Sequence, residues 1–337
     1  MPSPFQRFGN DLFTGARSVK FVQRKNLWLG ISAVLMILCI LIPVVRGFNW
    51  GIDFRGGSQF QISNVHTTDQ SVATQAVHEV KSGAVVQVSV VNRTGIRVTT
   101  DQLTTGQTKQ VTNNLAAAYD VSADEITSSF IGPAWGQDVS RKALEGLGVF
   151  LALAFIGMAL YFRTWKMSLS AIITLFHDLI FTAGVYALTG FEITPATVIG
   201  FLTILGYSLY DTVVVFDKVR ENTTEDVEKL ARTFGESVNL AVNQTLVRSI
   251  NTAVIAALPV AGILFIGGFV LNATTLEDIS LALFTGILIG TYSTVFVAAP
   301  LYAWLRQGEP AIAKHDKRVL AARAKAPVGA ENVAVTR

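Results

Sequence analysis

Six long apolar segments alternate with polar stretches along the 337-residue chain. They cover residues 27–45, 143–162, 168–188, 194–216, 248–270 and 278–304. Each segment is long enough to cross a hydrocarbon layer of about 30 Å as a helix that rises about 1.5 Å per residue. The pattern predicts an α-helical polytopic membrane protein with six transmembrane helices.

The polar interval 46–142 predicts a small α+β domain between the first two helices. Strands are predicted at 59–63, 84–91, 96–100 and 125–131, with a hairpin turn at 92–95. Helices are predicted at 68–80, capped by Thr67 or Thr68, and at 102–119. The order β-α-β-β-α-β is that of a ferredoxin-like fold.

Lysine and arginine are concentrated in residues 1–26, 163–166 and 218–232 and after residue 305, whereas the connections 190–192 and 272–278 contain neither. By the positive-inside rule, both termini are cytoplasmic and the α+β domain is extracytoplasmic. The predicted organisation is an N-terminal arm (1–26), helix 1 (27–45), the extracytoplasmic domain (46–142) and helices 2–6 (143–306) with a cytoplasmic loop (217–247). The tail (307–337) is expected to be disordered, or to form a short amphipathic helix near anionic lipid.

Composition supports a membrane protein and excludes several other classes. Hydrophobic residues make up 50% of the chain, charged residues 15%, and the mean hydropathy is +0.45. A single cysteine, Cys39, excludes an intramolecular disulfide, and the four histidines lack metal-ligand spacing, so we expect no metal or cofactor. The absence of a G-x-x-x-x-G-K-[ST] motif argues against ATP hydrolysis, and no basic-aromatic patch indicates nucleic-acid binding. We therefore do not expect an enzyme.

Three ionisable residues lie within or at the edge of apolar segments: Asp178, Asp211 and Arg248. Each such group costs roughly 2.5–3.5 kcal/mol at a helix centre on insertion scales, so each needs a reason to be there. Because the chain turns on one side between segments four and five, Asp211 and Arg248 lie at similar depth and are candidates for an ion pair. A carboxylate balanced between desolvation and a nearby cation is suited to a proton-coupled switch. The alternative is a static salt bridge that fixes helix packing.

Polar neighbours support this interface. Tyr207 and Ser208 precede Asp211 by four and three residues, and Gln244 and Asn251 flank Arg248 by four and three, so each pair shares a helix face with its charged residue. For Asp178, a functional and a packing role are equally supported, and the adjacent His177 need not share its face.

Small residues suggest close helix packing in the same region. Gly200 and Gly206 would permit a neighbouring helix to approach.

Five motifs in order resemble the bacterial SecD–SecF family of protein-export membrane subunits, in its smaller SecF branch. They are GIDFRGG (51–57), LFHDLIFTAG (175–184), GYSLYDTVVVFDKVREN (206–222), NQTLVRSINT (243–252) and GILIGTYSTVFVAAPL (286–301). The resemblance covers most of residues 20–305. The signature residues are Gly51, Asp53, Phe54, Gly56 and Gly57.

The resemblance implies that this chain is half of a twelve-span core similar to resistance-nodulation-division transporters, with SecD as the other half. The pair would use the proton motive force, with protons as coupling ion, to pull exported polypeptide chains outward after SecA has driven them through SecYEG. The motif match places the functional acid at Asp211, the arginine at Arg248 and the acid of a His-Asp pair at Asp178. Tyr210 departs from the small polar residue usual before the acid.

Two other functions remain open. A small-molecule/proton antiporter of the same superfamily would need a ligand cavity, and such transporters usually have twelve spans. A passive assembly scaffold of the translocase would tolerate neutralisation of Asp211, whereas deletion of its helices would abolish its function.

Overall fold

Long helices make up most of the chain, and a small sheet lies between the second and the sixth of its helices. A computed structural model describes residues 4–91, 94–268 and 274–325. The helices are α1 (Pro4–Thr14), α2 (Lys25–Arg46), α3 (Ile52–Arg55), α4 (Gln70–His78), α5 (Thr105–Tyr119), α6 (Pro133–Phe162), α7 (Trp165–Thr189), α8 (Pro195–Lys229), α9 (Phe234–Gly262), α10 (Thr274–Ser293), α11 (Ala299–Arg306) and α12 (Pro310–Lys325). The strands are β1 (Asn49–Trp50), β2 (Gly57–Ile62), β3 (Val86–Val91), β4 (Gly95–Thr100), β5 (Ile126–Ile131) and β6 (Glu192–Ile193).

Within these residues, six helices are long and apolar enough to cross a membrane. They are Lys25–Arg46, Trp135–Phe162, Trp165–Thr189, Pro195–Val227, Phe234–Gly267 and Leu276–Arg306. Each overlaps one predicted segment, so the predicted six-helix architecture is confirmed. Short π-helical turns, Ile263–Gly268 and Thr294–Ala298, continue α9 and α10.

The residues between α2 and α6 form the predicted ferredoxin-like unit, here called the sheet domain (57–131). Its strands lie in the order β3-β4-β2-β5 with all neighbours antiparallel. Apolar side chains of α4 and α5 pack with those of the strands in one buried core, which includes Phe60, Ile96 and Leu115. The predicted cap of α4 is wrong: Asp69, not Thr67 or Thr68, accepts a 2.9 Å bond from the Ser71 amide. The predicted turn at 92–95 lies partly outside the described residues.

A second, two-stranded sheet holds the connection between α2 and the sheet domain against the helices. β1 and β6 pair in parallel, Asn49 with Glu192 and Trp50 with Ile193. Thus the chain leaving α2 contacts the connection between α7 and α8. We call this end of the bundle the sheet side and the other end the terminal side.

The predicted loop at 217–247 is wrong. α8 continues to Lys229 and α9 begins at Phe234, so two helix extensions replace the loop. Polar bonds between the extensions explain why this charged sequence stays helical: Ser237 donates to Asp226 at 2.6 Å, and Asn222 donates to Gln244 at 2.8 Å.

Disorder of the tail is also wrong for residues 310–325, which form α12. Asp316 accepts a 2.8 Å bond from the amide of Phe234, the first residue of α9, and Arg323 pairs with Glu236 at 2.7 Å. Val319 is fully buried. The alternative prediction of a short helix is the correct one for these residues, and the tertiary contacts stabilise it. The last twelve residues of the predicted tail, 326–337, lie outside the described part.

The spanning helices approach closely at small residues. A methyl group added to Gly200 would lie 2.6 Å from the Cβ of Ala282 on α10, and one added to Gly184 would overlap Cys39 on α2. The prediction for Gly200 is therefore confirmed. The prediction for Gly206 is wrong, because its Cβ position has no neighbour within 4 Å in the described residues.

Candidate functional site

Asp178 lies on α7, almost fully buried between α7 and α8. Its Oδ2 accepts a 2.5 Å bond from Ser208 Oγ, and His177 Nδ1 lies 3.1 Å from its Oδ1. Both ends of the carboxylate therefore have a polar partner. The structure brings His177 to this carboxylate although successive helix residues point about 100° apart, which the sequence did not predict.

Asp211 lies on α8 with 5% of its surface exposed. Its Oδ1 accepts a 2.9 Å bond from Ser249 Oγ on α9, whereas its Oδ2 has no hydrogen-bond partner among the described residues. A buried carboxylate oxygen without a partner is costly, because burial removes its hydration. The site is therefore a buried acid held to the next helix by one neutral hydroxyl.

The predicted ion pair between Asp211 and Arg248 is wrong as a direct contact. Both residues are described, and no ion pair within 4 Å joins them. Arg248 is exposed and donates instead to the Tyr210 hydroxyl at 3.3 Å. Consecutive helix residues point about 100° apart, and Ser249 rather than Arg248 takes the inward position on α9. The guanidinium still acts on the carboxylate through space.

The four predicted supporting residues do not act as a group. Ser208 serves Asp178 rather than Asp211, and Tyr207 is half-buried beside it. Gln244 belongs to the terminal side, where its amide donates to the Phe13 carbonyl at 3.2 Å. Asn251 is exposed.

The signature glycines lie at the sheet side and shape the junction between domain and bundle. The amide of Gly51 donates to the carbonyl of Ile193 at 2.9 Å, and a Cβ there would lie 3.1 Å from Glu192 Oε1. Gly57 has φ of 138°, and a Cβ there would overlap the carbonyl oxygen of Thr100, so both the backbone conformation and the lack of space favour glycine. Gly56 ends α3 with φ of 74°.

The other two signature residues lie between these glycines on the short helix α3. Phe54 packs edge-to-face on Trp50, with centroids 5.6 Å apart. Burial, and then the nearby Glu192 carboxylate, raises the pKa of Asp53. The signature is thus chiefly architectural and lies far along the chain from Asp211.

Sequence reasoning missed two groups that the structure makes prominent. Ser249 directly follows the more conspicuous Arg248, and the sequence does not show which of the two faces α8. The ion pair between Arg97 and Glu192 joins a strand to a connection 95 residues later. No local spacing rule links residues so far apart.

Six spanning helices, a ferredoxin-like unit after the first of them and buried carboxylates on the third and fourth define a polytopic membrane protein of transporter type. The family described as "Protein export membrane protein SecD/SecF, C-terminal" matches residues 110–308, and the "SecD/SecF GG Motif" matches residues 42–63. The first match covers more than half of the chain. The chain belongs to the SecD/SecF family.

Several relatives carry the name of the smaller subunit. "Protein translocase subunit SecF" of Streptomyces coelicolor is 45% identical over 96% of this chain and 86% of the relative. The protein of the same name from Mycobacterium tuberculosis is 39% identical over 96% and 76%, respectively. "Protein translocase subunit SecDF" of Thermus thermophilus is 31% identical over 81% of this chain and 37% of its own length.

The fold is also similar to a solved structure. The crystal structure of SecDF from Thermus thermophilus, described as a translocon-associated membrane protein, superposes with a TM-score of 0.73 at 29% identity. The match covers 86% of this chain and 39% of the SecDF chain. This chain therefore corresponds to less than half of that protein.

Proposed function

We propose that this chain is the SecF-type subunit of a SecD–SecF complex that uses the proton motive force to promote late steps of protein export. The observation that carries the proposal is Asp211, an acid buried in a membrane-spanning helix with one carboxylate oxygen unpartnered in the described structure. Intramembrane acids of this kind typically mark proton or substrate pathways. The names of the relatives support the export role.

In the proposed mechanism, Asp211 takes up a proton from the sheet side and gives it up to the terminal side. Protonation removes the charge to which Ser249 donates, next to the outward-facing Arg248 of α9, so the α8–α9 contact changes. The sheet domain, which is joined to the start of α8, then moves relative to the membrane. Protons are the coupling ion, and this chain performs no covalent chemistry.

The proposed orientation follows from charge. Both termini lie in the cytoplasm and the sheet domain faces outward from the plasma membrane, because lysine and arginine are concentrated at the terminal side. SecD is the proposed direct partner, since the SecDF relative carries both halves in one chain. SecYEG and SecA act in the same pathway, and exported polypeptides would meet the sheet domain.

The test compares two acids of one helix. Asp211→Asn and Asp226→Asn both neutralise a carboxylate of α8 that is bonded to a serine of α9, but Asp226 lies on the terminal-side extension. In vesicles that contain SecD, we expect Asp211→Asn to abolish proton conductance and gradient-dependent export, and Asp226→Asn to retain both. Wild-type conductance and export in Asp211→Asn would rule out the proposed coupling and favour a passive scaffold.

Purification in mild detergent tests the partner. Co-purified SecD supports the export role. A chain that purifies without SecD, and whose deletion sensitises cells to toxic compounds without a secretion defect, would instead indicate an antiporter.

A further inference from the structure

The side chain of Arg97 crosses from the sheet domain to the helical bundle. Arg97 lies on β4, and its Nη1 donates to Glu192 Oε2 in an ion pair between β4 and β6. The two side chains are only 8% and 9% exposed, respectively. Glu192 lies two residues before Thr194, the N-cap of α8. The pair therefore connects the domain to the start of the helix that carries Asp211.

Three further carboxylates, on two elements besides β6, act on this guanidinium. Asp53 on α3 and Glu277 and Asp278 on α10 all interact with Arg97 electrostatically. Asp278 is also tied to α8, because Thr194 Oγ1 donates to its Oδ2 at 2.9 Å. Arg97 thus offsets negative charge that three separate elements (β6, α3 and α10) bring to one partly dehydrated place. Without it, these like charges would repel one another across the junction.

Backbone bonds fasten the same junction from the other side. β1 pairs with β6, and the Gly51 amide donates to the Ile193 carbonyl at 2.9 Å. A Cβ at Gly51 would lie 3.1 Å from Glu192 Oε1, so a side chain there would push on Glu192. Separation of the sheet domain from α8 must therefore break the Arg97–Glu192 pair. The Gly51 hydrogen bond lies six residues before the domain, on the connection that enters it, and reports on the same junction.

We propose that Arg97 and Glu192 are positioning residues that clamp the sheet domain to the start of α8, so that domain and helix move together. α8 is continuous from Pro195, and Asp211 lies roughly 24 Å further along at about 1.5 Å per residue. A displacement at Asp211 would reach the domain through this clamp. The use of the clamp in export rests on the proposed function, whereas its existence does not.

Hydrogen exchange in the full chain in lipid vesicles tests the clamp without any gradient or export. We expect Arg97→Gln and Glu192→Gln each to raise the exchange rate of the Gly51 amide by at least about tenfold, because removing one partner strands the other charge and loosens the junction. In the double variant, the free-energy change that corresponds to the faster Gly51 exchange should be smaller than the sum of the changes in the two single variants. Glu192→Gln lies outside the sheet domain, so its effect cannot come from misfolding of that domain.

Arg141→Gln is the matched control, because Arg141 pairs with Glu145 in an exposed position, with side chains 79% and 58% exposed. We expect its Gly51 exchange rate to equal that of the wild type. Unchanged exchange in both Arg97→Gln and Glu192→Gln, or strictly additive effects in the double variant, would overturn the clamp.

Export measurements in the same variants separate the clamp from the proposed function. One outcome is that Arg97→Gln and Glu192→Gln raise the exchange rate of the Gly51 amide and also lower export, while the proton conductance that depends on Asp211 persists. In that case the sheet domain and α8 are coupled as proposed. If both variants raise the exchange rate of the Gly51 amide but export stays at the wild-type rate, the contact exists but does not couple the sheet domain to α8 in export. Failure of the Asp211→Asn test alone would remove proton coupling and leave the exchange result unaffected.

Discussion

Ser249 Oγ on α9 donates a 2.9 Å hydrogen bond to Asp211 Oδ1 on α8, and both side chains are buried. The partner of the buried acid is thus a neutral hydroxyl, while the neighbouring arginine faces away from the contact. A hydroxyl can keep its hydrogen bond whether or not the acid is protonated, since it can both donate and accept. This relationship lets the acid change charge without losing its attachment to α9.

Replacement of Ser249 by alanine tests the importance of that hydroxyl. Ser249→Ala removes a bond to an ionised group, which is worth about 1.5–3 kcal/mol, and leaves the Asp211 carboxylate without this donor. We expect gradient-driven export to fall at least about tenfold, since about 1.4 kcal/mol corresponds to a factor of ten. Export by vesicles that contain the full chain and SecD is the measurement.

Ser237→Ala is its control, because Ser237 of α9 donates to Asp226 of α8 at 2.6 Å on the terminal-side extension. We expect Ser237→Ala to lower thermal stability about as much as Ser249→Ala does, and to leave export unchanged. Equal export losses in both variants would show that Ser249 acts through helix packing alone.

Neutralisation of Arg248 tests an exposed charge within the spanning region. Arg248→Met replaces the arginine by a long apolar side chain without the guanidinium. We therefore expect normal membrane insertion and loss of export. Tyr210→Phe, which removes only the 3.3 Å hydrogen bond between these residues, should retain most activity. If export in Arg248→Met persists at the wild-type rate, the arginine serves packing rather than coupling.

The sequence predicted the six spans and the sheet domain because both depend on local periodicity: long apolar runs for helices, and alternation for strands. The sequence indicated that Asp211 and Arg248 lie at a similar depth in the membrane, but it did not show how α9 is rotated about its axis. That rotation places Ser249, rather than Arg248, against the Asp211 carboxylate. α12 depends on contacts such as that of Asp316 with the start of α9. The Arg97–Glu192 pair depends on how two distant segments dock, which no local pattern records.

Two glycines of α8 separate close helix packing from backbone effects. We expect Gly200→Ala to destabilise the chain by about 1–3 kcal/mol, because the new methyl group overlaps Ala282 on α10. Gly206→Ala meets no described atom within 4 Å and should be neutral or slightly stabilising, since alanine favours helix by about 0.5–1 kcal/mol. Unfolding of the full chain in mixed detergent micelles measures both. Equal effects would contradict the close contact at Gly200.

A charged group on the terminal side gives the structure an acid-sensitive contact. Glu309 accepts hydrogen bonds from Arg306 and pairs with Lys166, at 2.8 Å and 2.9 Å respectively. These bonds, those from Arg306 first, hold the pKa of Glu309 below its usual range. A lowered folded-state pKa means that the contact stabilises the fold above the ordinary glutamate range, and that this contribution is lost as pH falls through the folded-state pKa.

Trp165 is a natural reporter of this contact, because its ring centroid lies 5.8 Å from Lys166 Nζ. With other tryptophans replaced by phenylalanine, we expect its fluorescence to change as pH falls below about 4.3, the ordinary value for glutamate. Glu309→Gln should show the altered signal at neutral pH and remove this transition. A transition of unchanged midpoint and amplitude in Glu309→Gln would assign it to another acid. The contact joins α7 to the turn between α11 and α12, so its loss should loosen the terminal side while the Gly51 amide at the sheet side keeps its protection.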